Sequence, residues 1–124
     1  MQKEYSLRRA RVAKELKRSA GLVFAGNADA HLESSWRPHA HFEYLTGITN
    51  ESGAVLLLDP AHSVASRREI LLLPARDLEK EQWDGLRQSI GSALRNETGF
   101  ATIMRTSALP MLLKERTSFF RLEF

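Results

Sequence analysis

The apolar residues near the start of the chain recur at helical spacing. They lie three or four positions apart: Leu7, Ala10, Ala13, Leu16 and Ala20. Because this spacing places side chains on one face of an α-helix, the pattern predicts a helix over residues 6–20. We expect Ser6 to cap its start and Gly21 to end it in the left-handed conformation.

Two strand-like segments occupy residues 54–58 and 69–73; all of their residues except Glu69 are apolar, and turn residues flank both. Short runs without alternation are typical of central strands that are covered on both faces. The connection over residues 60–67 is short enough for an antiparallel hairpin. With a further short strand predicted at residues 22–25, the pattern favours a mixed sheet.

The other segments carry weaker patterns. Ser107 is expected to cap a helix over residues 107–117, with Pro110 tolerated in the first turn because its missing N–H would have no partner there. The remaining predictions are a loop at 26–38, an extended segment at 42–45, a helical turn or loop at 77–83, a helix at 88–96, a strand at 100–104 and an edge strand at 119–124.

This order of elements predicts the α/β class, with one mixed β-sheet flanked by helices. The chain has 124 residues, of which 43% are hydrophobic. One core is sufficient for a chain of this size, so we expect a single domain over residues 1–124.

The composition also bears on the location of the protein. The chain has no cysteine, which excludes a disulfide scaffold, thiolate metal sites and a thiol nucleophile. Its apolar runs are far shorter than the roughly 20 residues that cross a bilayer. No apolar segment of the kind found in secretory signals follows the N-terminus. We therefore expect a cytoplasmic protein with no membrane partner.

The net charge of +3 is concentrated at the start of the chain. Residues 1–20 hold seven Lys or Arg and two Glu, which gives +5 there and −2 elsewhere. A basic helix can bind nucleic acid, and it can equally be a solvated face. Because the aromatic residues that single-strand binders interleave with cations are missing, we expect no nucleic-acid partner.

Candidate catalytic chemistry is sparse. His39 and His41 would share one face of an extended segment, but a catalytic zinc generally takes three protein ligands. We therefore interpret them as loop histidines and expect no metal site. No nucleophile motif such as G-x-S-x-G is present. The acidic residues between positions 77 and 84 alternate with bases, as in surface ion pairs, and we predict no catalytic residue.

Trp83 is the most informative aromatic residue, because it lies in a polar segment just before Gly85. An exposed tryptophan commonly anchors a partner or a ligand. The alternative is that Trp83 folds back over the sheet edge. Trp36, in the long predicted loop, has the same two interpretations.

Several motifs follow one another in a recognisable order. They are R-x4-F-x-Y-L-T-G at residues 37–47, an acidic residue with L-D-P at 51–60, P-x-R-D at 74–77 and W-x-G-x-R at 83–87. This order resembles the N-terminal domain of Xaa-Pro aminopeptidases in the creatinase and prolidase family. The Arg8-Arg9 helix that leads to Gly21-Leu22-Val23 is also similar. The chain departs from the pattern at Gln88-Ser89, where Leu-Gly is usual, and at His41, where Asp or Asn is common.

The resemblance implies a mixed sheet flanked by helices and a separate catalytic domain of the pita-bread fold, which residues 1–124 do not include. That domain would bind two divalent metal ions, commonly manganese, and remove the N-terminal residue that precedes proline. This chain alone would not be an enzyme. Its implied partners are its own catalytic domain, further copies in a homo-oligomer and a peptide with proline at the second position.

The resemblance also implies roles for three residues. Trp83 would form an apolar wall at the rim of the active site, and Arg37 and Arg87 would contact a peptide carboxylate or carbonyl. Structural roles for both arginines are equally open.

Two other functions remain as alternatives. One is a stand-alone interaction module that binds a partner through its sheet edge. The other is nucleic-acid binding through the basic N-terminal helix, for which a steep loss of affinity with salt would be the signature.

Overall fold

A four-stranded mixed sheet forms the centre of the computed structural model, which describes residues 2–27, 36–74 and 92–119. The strands lie in the order β1-β2-β3-β4. Their bounds are β1 Gly21–Phe24, β2 Val55–Leu58, β3 Glu69–Leu73 and β4 Ile103–Arg105. The first two pairings are antiparallel and β3 pairs with β4 in parallel. The predicted hairpin and the predicted α/β class with a mixed sheet are confirmed.

The strands β2 and β3 are central, and every residue of β2 is buried. Their register pairs Leu56 with Leu71 and Leu57 with Ile70. Because alternate side chains of a strand point to opposite faces, the two runs supply two separate apolar clusters. This explains why the runs are continuously apolar rather than alternating.

Helices cover both faces of the sheet. Helices α1 (Gln2–Leu16) and α2 (Ala40–Thr46) pack on one face through residues that include Leu16 and Phe42. Helix α4 (Leu109–Phe119) packs on the other face through Leu112. A further helix, α3, spans Ser92–Thr98. Short 3-10 helices occupy Ala65–Arg67 and Thr106–Ala108.

The predicted bounds of the first helix are wrong, and the apolar residues predicted to share one face of it do not share that face. Helix α1 begins at Gln2 and ends at Leu16, so Ser6 lies inside it. Lys17, with φ 56°, takes the left-handed position that Gly21 was expected to take. The inward face carries Arg9, Val12 and Leu16, whereas Leu7 is exposed. Leu16 belongs both to the predicted apolar set and to the inward face, whereas Arg9 and Val12 were not in the predicted set.

The segment 42–45, predicted as extended, belongs to helix α2. Phe42 and Leu45 are buried at a spacing of three, which is helical. Gly47 ends the helix with φ 71°, and its N–H donates to the carbonyl of Glu43 at 2.8 Å. A left-handed glycine that bonds back to the last turn is a common helix end.

The other predictions fall close to the observed elements. Helix α3 overlaps the predicted helix 88–96, and β4 overlaps the predicted strand 100–104. The last helix starts at Leu109 after a 3-10 turn, with Pro110 in its first turn as predicted. Phe119 is still helical, and the rest of the predicted edge strand lies outside the described residues, as does the segment 77–83.

Candidate functional site

The carboxyl ends of β1, β3 and β4 meet at one edge of the sheet, because these three strands run in the same direction. We call this the carboxyl edge, formed by residues 25–27, 36–39, 53–54, 74 and 105. The N–H of Gly53 donates to the carbonyl of Gly26 at 2.8 Å. Arg105 Nη1 donates to the carbonyl of Pro74 at 3.1 Å. Backbone and side-chain bonds therefore fix the strand ends relative to one another.

Arg37 is the one predicted site residue that lies within the described residues. It precedes α2 at the carboxyl edge, where the N–H of His39 donates to the carbonyl of Ala25 at 2.9 Å. Its Nη2 lies 3.0 Å from Oε1 of Glu43, and its side chain remains 76% exposed. Glu43 thus orients the guanidinium without removing it from solvent.

Trp83 and Arg87 lie outside the described residues, in the segment 75–91 that follows Pro74. Their predicted roles stay predictions. Trp36 is half-buried and packs against the apolar cluster beneath α1 and α2. Its contacts support the packing interpretation of this residue rather than an anchor for a partner.

The histidine pair does not have the predicted geometry. His39 is the N-cap of α2, and its Nδ1 accepts from the N–H of His41 at 3.4 Å. The two rings stack with centroids 5.2 Å apart. The segment is the start of a helix and not a strand. The positions of the two imidazoles are therefore set by the N-cap hydrogen bond and not by the alternation of an extended chain.

Potential metal ligands are dispersed among the described residues. Within residues 2–27, 36–74 and 92–119, no group of three His, Cys, Asp or Glu side chains could hold a metal ion. A two-metal hydrolase needs several carboxylates converging on one pocket. The described residues do not fit such a centre.

Arg9 has a structural role that was not predicted from the sequence, since this arginine is only 2% exposed. Its Nη1 donates to the carbonyl of Leu45 at 2.9 Å, and its Nε lies 3.2 Å from Oε1 of Glu69. Its Cζ lies 4.2 Å from the centroid of the Phe100 ring. The spacing of Arg9 with Val12 and Leu16 is the signal that could have placed it on the inward face.

Arg8 also joins α1 to the end of α2, and it does so at the surface. Its Nη1 donates to the carbonyl of Tyr44 at 3.0 Å, and its guanidinium lies 4.3 Å from the Tyr44 ring centroid and 5.1 Å from that of Tyr5. The last carbonyls of a helix have no partner within the helix. Arg8 and Arg9 therefore satisfy two consecutive carbonyls at the end of α2.

The Y-L-T-G motif is thus a helix end packed against α1. Thr46 Oγ1 donates to the carbonyl of Phe42 at 2.8 Å and accepts from the N–H of Ile48 at 3.1 Å. Gly47 faces the Tyr5 ring so closely that a Cβ atom would overlap Cε2 and Cζ of that ring. The motif and the Arg8-Arg9 pair form one structural unit.

These features define an α/β domain built on a mixed sheet, in which the Y-L-T-G motif and the Arg8-Arg9 pair join α2 to α1. Residues 5–119 match the family described as aminopeptidase P, N-terminal domain. The chain belongs to this family. No curated protein sequence matches the chain.

Solved structures of aminopeptidase P have the same fold. The Pseudomonas aeruginosa aminopeptidase PepP is 25% identical with a TM-score of 0.68, covering 93% of this chain and 26% of that one. The Escherichia coli aminopeptidase P with the inhibitor Pro-Leu is 28% identical with a TM-score of 0.67, over the same shares. The chain therefore spans about a quarter of the length of these structures.

Among the described residues, no helix is long and apolar enough to cross a membrane.

Proposed function

We propose that this chain is the accessory domain of a proline-specific metallo-aminopeptidase, which removes the N-terminal residue preceding proline. The observation that carries the proposal is the family match over residues 5–119. The hydrolytic chemistry belongs to a catalytic domain that binds two divalent metal ions, with manganese as the first choice. The chain itself contributes contacts within a homo-oligomer and limits access to the catalytic cleft. We also place the protein in the cytoplasm, which the lack of cysteine supports.

The carboxyl edge is the surface that we assign to the peptide substrate. Arg37 supports this assignment because its guanidinium is exposed and is oriented by Glu43 at 3.0 Å. An arginine held in this way can contact a peptide carboxylate or carbonyl with its remaining N–H groups. Trp83 and Arg87 follow Pro74, the last described residue of this edge, in the sequence. Trp83 would supply an apolar wall, and Arg87 a second polar contact.

A domain exchange tests this function. Residues 5–119 of this chain would replace the corresponding domain of the Escherichia coli aminopeptidase P, whose structure resembles it. We expect the chimera to hydrolyse an Xaa-Pro peptide and to sediment as the unmodified enzyme does. Trp83→Ala should raise KM roughly three- to tenfold, since loss of a contact made equally to substrate and transition state changes KM rather than kcat.

The controls separate a rim function from general damage. Arg37→Ala and Arg87→Ala should raise KM less than Trp83→Ala, and Arg11→Ala, on the exposed face of α1, should leave KM unchanged. A chimera that is folded but has the same KM in all four variants would remove the substrate-rim proposal. A chimera that sediments with a smaller mass than the unmodified enzyme would contradict the proposed oligomer contacts.

A further inference from the structure

The outward face of α1 carries cations around an apolar centre. Five side chains lie within about 100° of arc on a helix of 3.6 residues per turn. All five are exposed and together form what we call the basic face: Lys3, Leu7, Ala10, Arg11 and Lys14. Arg9, Val12 and Leu16 point the opposite way, into the protein. The basic face is therefore directed to solvent.

The cations of this face are not neutralised by ion pairs among the residues that the structure describes. None of Lys3, Arg11 and Lys14 forms an ion pair with a described residue. Glu4, which borders this face, pairs with Arg8 at 2.6 Å. Lys3 and Lys14 are separated by about 16 Å along the helix axis. The face thus presents three positive charges along three turns of helix.

The exposed apolar side chain of Leu7 makes this face different from a surface that carries only charged residues. It lies between the cations, next to the small Ala10, and is 53% exposed. An apolar centre with a charged rim is the common arrangement of a protein interface. Phosphate groups of a nucleic acid would neutralise the cations but would leave the leucine without an apolar partner.

We propose that the basic face of α1 binds an acidic amphipathic helix, in which carboxylates surround one or two apolar residues. The carboxylates complement Lys3, Arg11 and Lys14, and the apolar residues cover Leu7. A second copy of the same face would be repelled, since like charges opposed across an interface disfavour association. The proposal is independent of the aminopeptidase function and of the carboxyl edge.

Fluorescence anisotropy with a defined probe tests the interaction. The probe is a fluorescein-labelled 18-residue peptide of Glu, Ala and Leu, with Leu at every third or fourth position. We expect micromolar binding at low salt that weakens about fivefold or more on going to physiological salt, because exposed charges are screened. The same peptide with Lys in place of Glu should not bind.

Variants of the full chain locate the site. The triple variant with Lys3→Glu, Arg11→Glu and Lys14→Glu should bind at least about tenfold more weakly, and Leu7→Ser about threefold more weakly. Arg95→Glu changes the net charge as Arg11→Glu does but lies on α3, so it should weaken binding less than twofold. Circular dichroism confirms that each variant is folded.

Three results would overturn the proposal. The first is no binding of the acidic peptide at a protein concentration of roughly 0.1 mM, which is 100 times a micromolar Kd. The second is that Arg95→Glu weakens binding of the peptide as much as the single variant Arg11→Glu does. The third is tighter binding of a 20-base-pair DNA duplex with no effect of Leu7→Ser, which would assign the face to a polyanion instead.

Discussion

Arg9 joins three elements through a single buried side chain. It donates from α1 to the last turn of α2, pairs with Glu69 at the start of β3 and lies over the Phe100 ring. A guanidinium can satisfy these contacts at once because its donors are fixed in a planar fork. Glu69 is 35% exposed, so the pair is only partly removed from water.

Replacement of Arg9 should therefore destabilise the fold strongly. We expect Arg9→Ala to lower the free energy of unfolding by about 2–4 kcal/mol, because the Leu45 carbonyl loses its partner and a cavity remains. Arg11→Ala, on the exposed face of the same helix, should change it by less than about 0.5 kcal/mol. Urea unfolding of both variants checks the contrast, and similar midpoints would contradict the structural role of Arg9.

Gly47 offers a second test at a single position. Gly47→Ala should cost about 1–3 kcal/mol, since φ is 71° and the new methyl group would overlap the Tyr5 ring. Gly26 is the matched control, because its φ is 90° but nothing lies within 4 Å of the position that a methyl group would take there. Gly26→Ala thus measures the backbone cost alone.

The contact with the ring can then be separated from backbone strain. In a Tyr5→Ala background, Gly47→Ala should cost no more than Gly26→Ala does in the wild-type chain. Thermal unfolding of the wild-type chain, the three single variants and the Tyr5→Ala/Gly47→Ala double variant measures this difference. If Gly47→Ala and Gly26→Ala are equally costly in the wild-type chain, the Tyr5 contact contributes nothing.

At the scale of elements, β2 and β3 depend on apolar residues on both faces. Leu57 is 5% exposed, pairs with Ile70 and belongs to the cluster that contains Leu112 of α4. Leu57→Asp should cost several kcal/mol, roughly 3–5, because an unpaired carboxylate would be buried between the sheet and α4.

A surface position provides the comparison for this variant. Val64 is exposed in the β2–β3 connection, and Val64→Asp should change stability by less than about 0.5 kcal/mol. A melting temperature of Leu57→Asp close to that of Val64→Asp would show that β2 is not a central strand.

At the scale of the whole molecule, we expect the chain alone not to hydrolyse Xaa-Pro peptides in the presence of manganese, cobalt or zinc. Such a reaction needs carboxylates and an imidazole that converge around two ions, and the described residues contain no cluster of three ligands. Incubation of the purified chain with substrate and each metal tests this expectation. Turnover that survives repurification and disappears when His39 and His41 are both replaced would contradict it.

The proposed oligomer contacts predict that the isolated chain self-associates. Sedimentation equilibrium over a range of concentrations should give an average mass above the 14.1 kDa of one chain. A monomer at every concentration would exclude self-association through this domain alone. The proposed contacts would then have to involve the catalytic domain.

The sequence by itself determined the central part of the fold. The segments 54–58 and 69–73, apolar apart from Glu69, could be assigned as buried strands because apolar runs this short between turn residues are shorter than typical helices. Pro110 similarly restricted the start of the last helix to the preceding turn. The order of the motifs was sufficient to identify the family that the match over residues 5–119 shows.

Only the tertiary structure decided the secondary structure of short segments and the burial of single charged residues. Residues 42–45 are too few for their period to separate helix from strand, and packing of Phe42 and Leu45 made them helical. The burial of Arg9 depends on Leu45 and Glu69, which lie 36 and 60 residues away in the chain. No local pattern predicts these distant partners of Arg9. The cost of burying its charge is offset only when the fold brings Leu45 and Glu69 next to it.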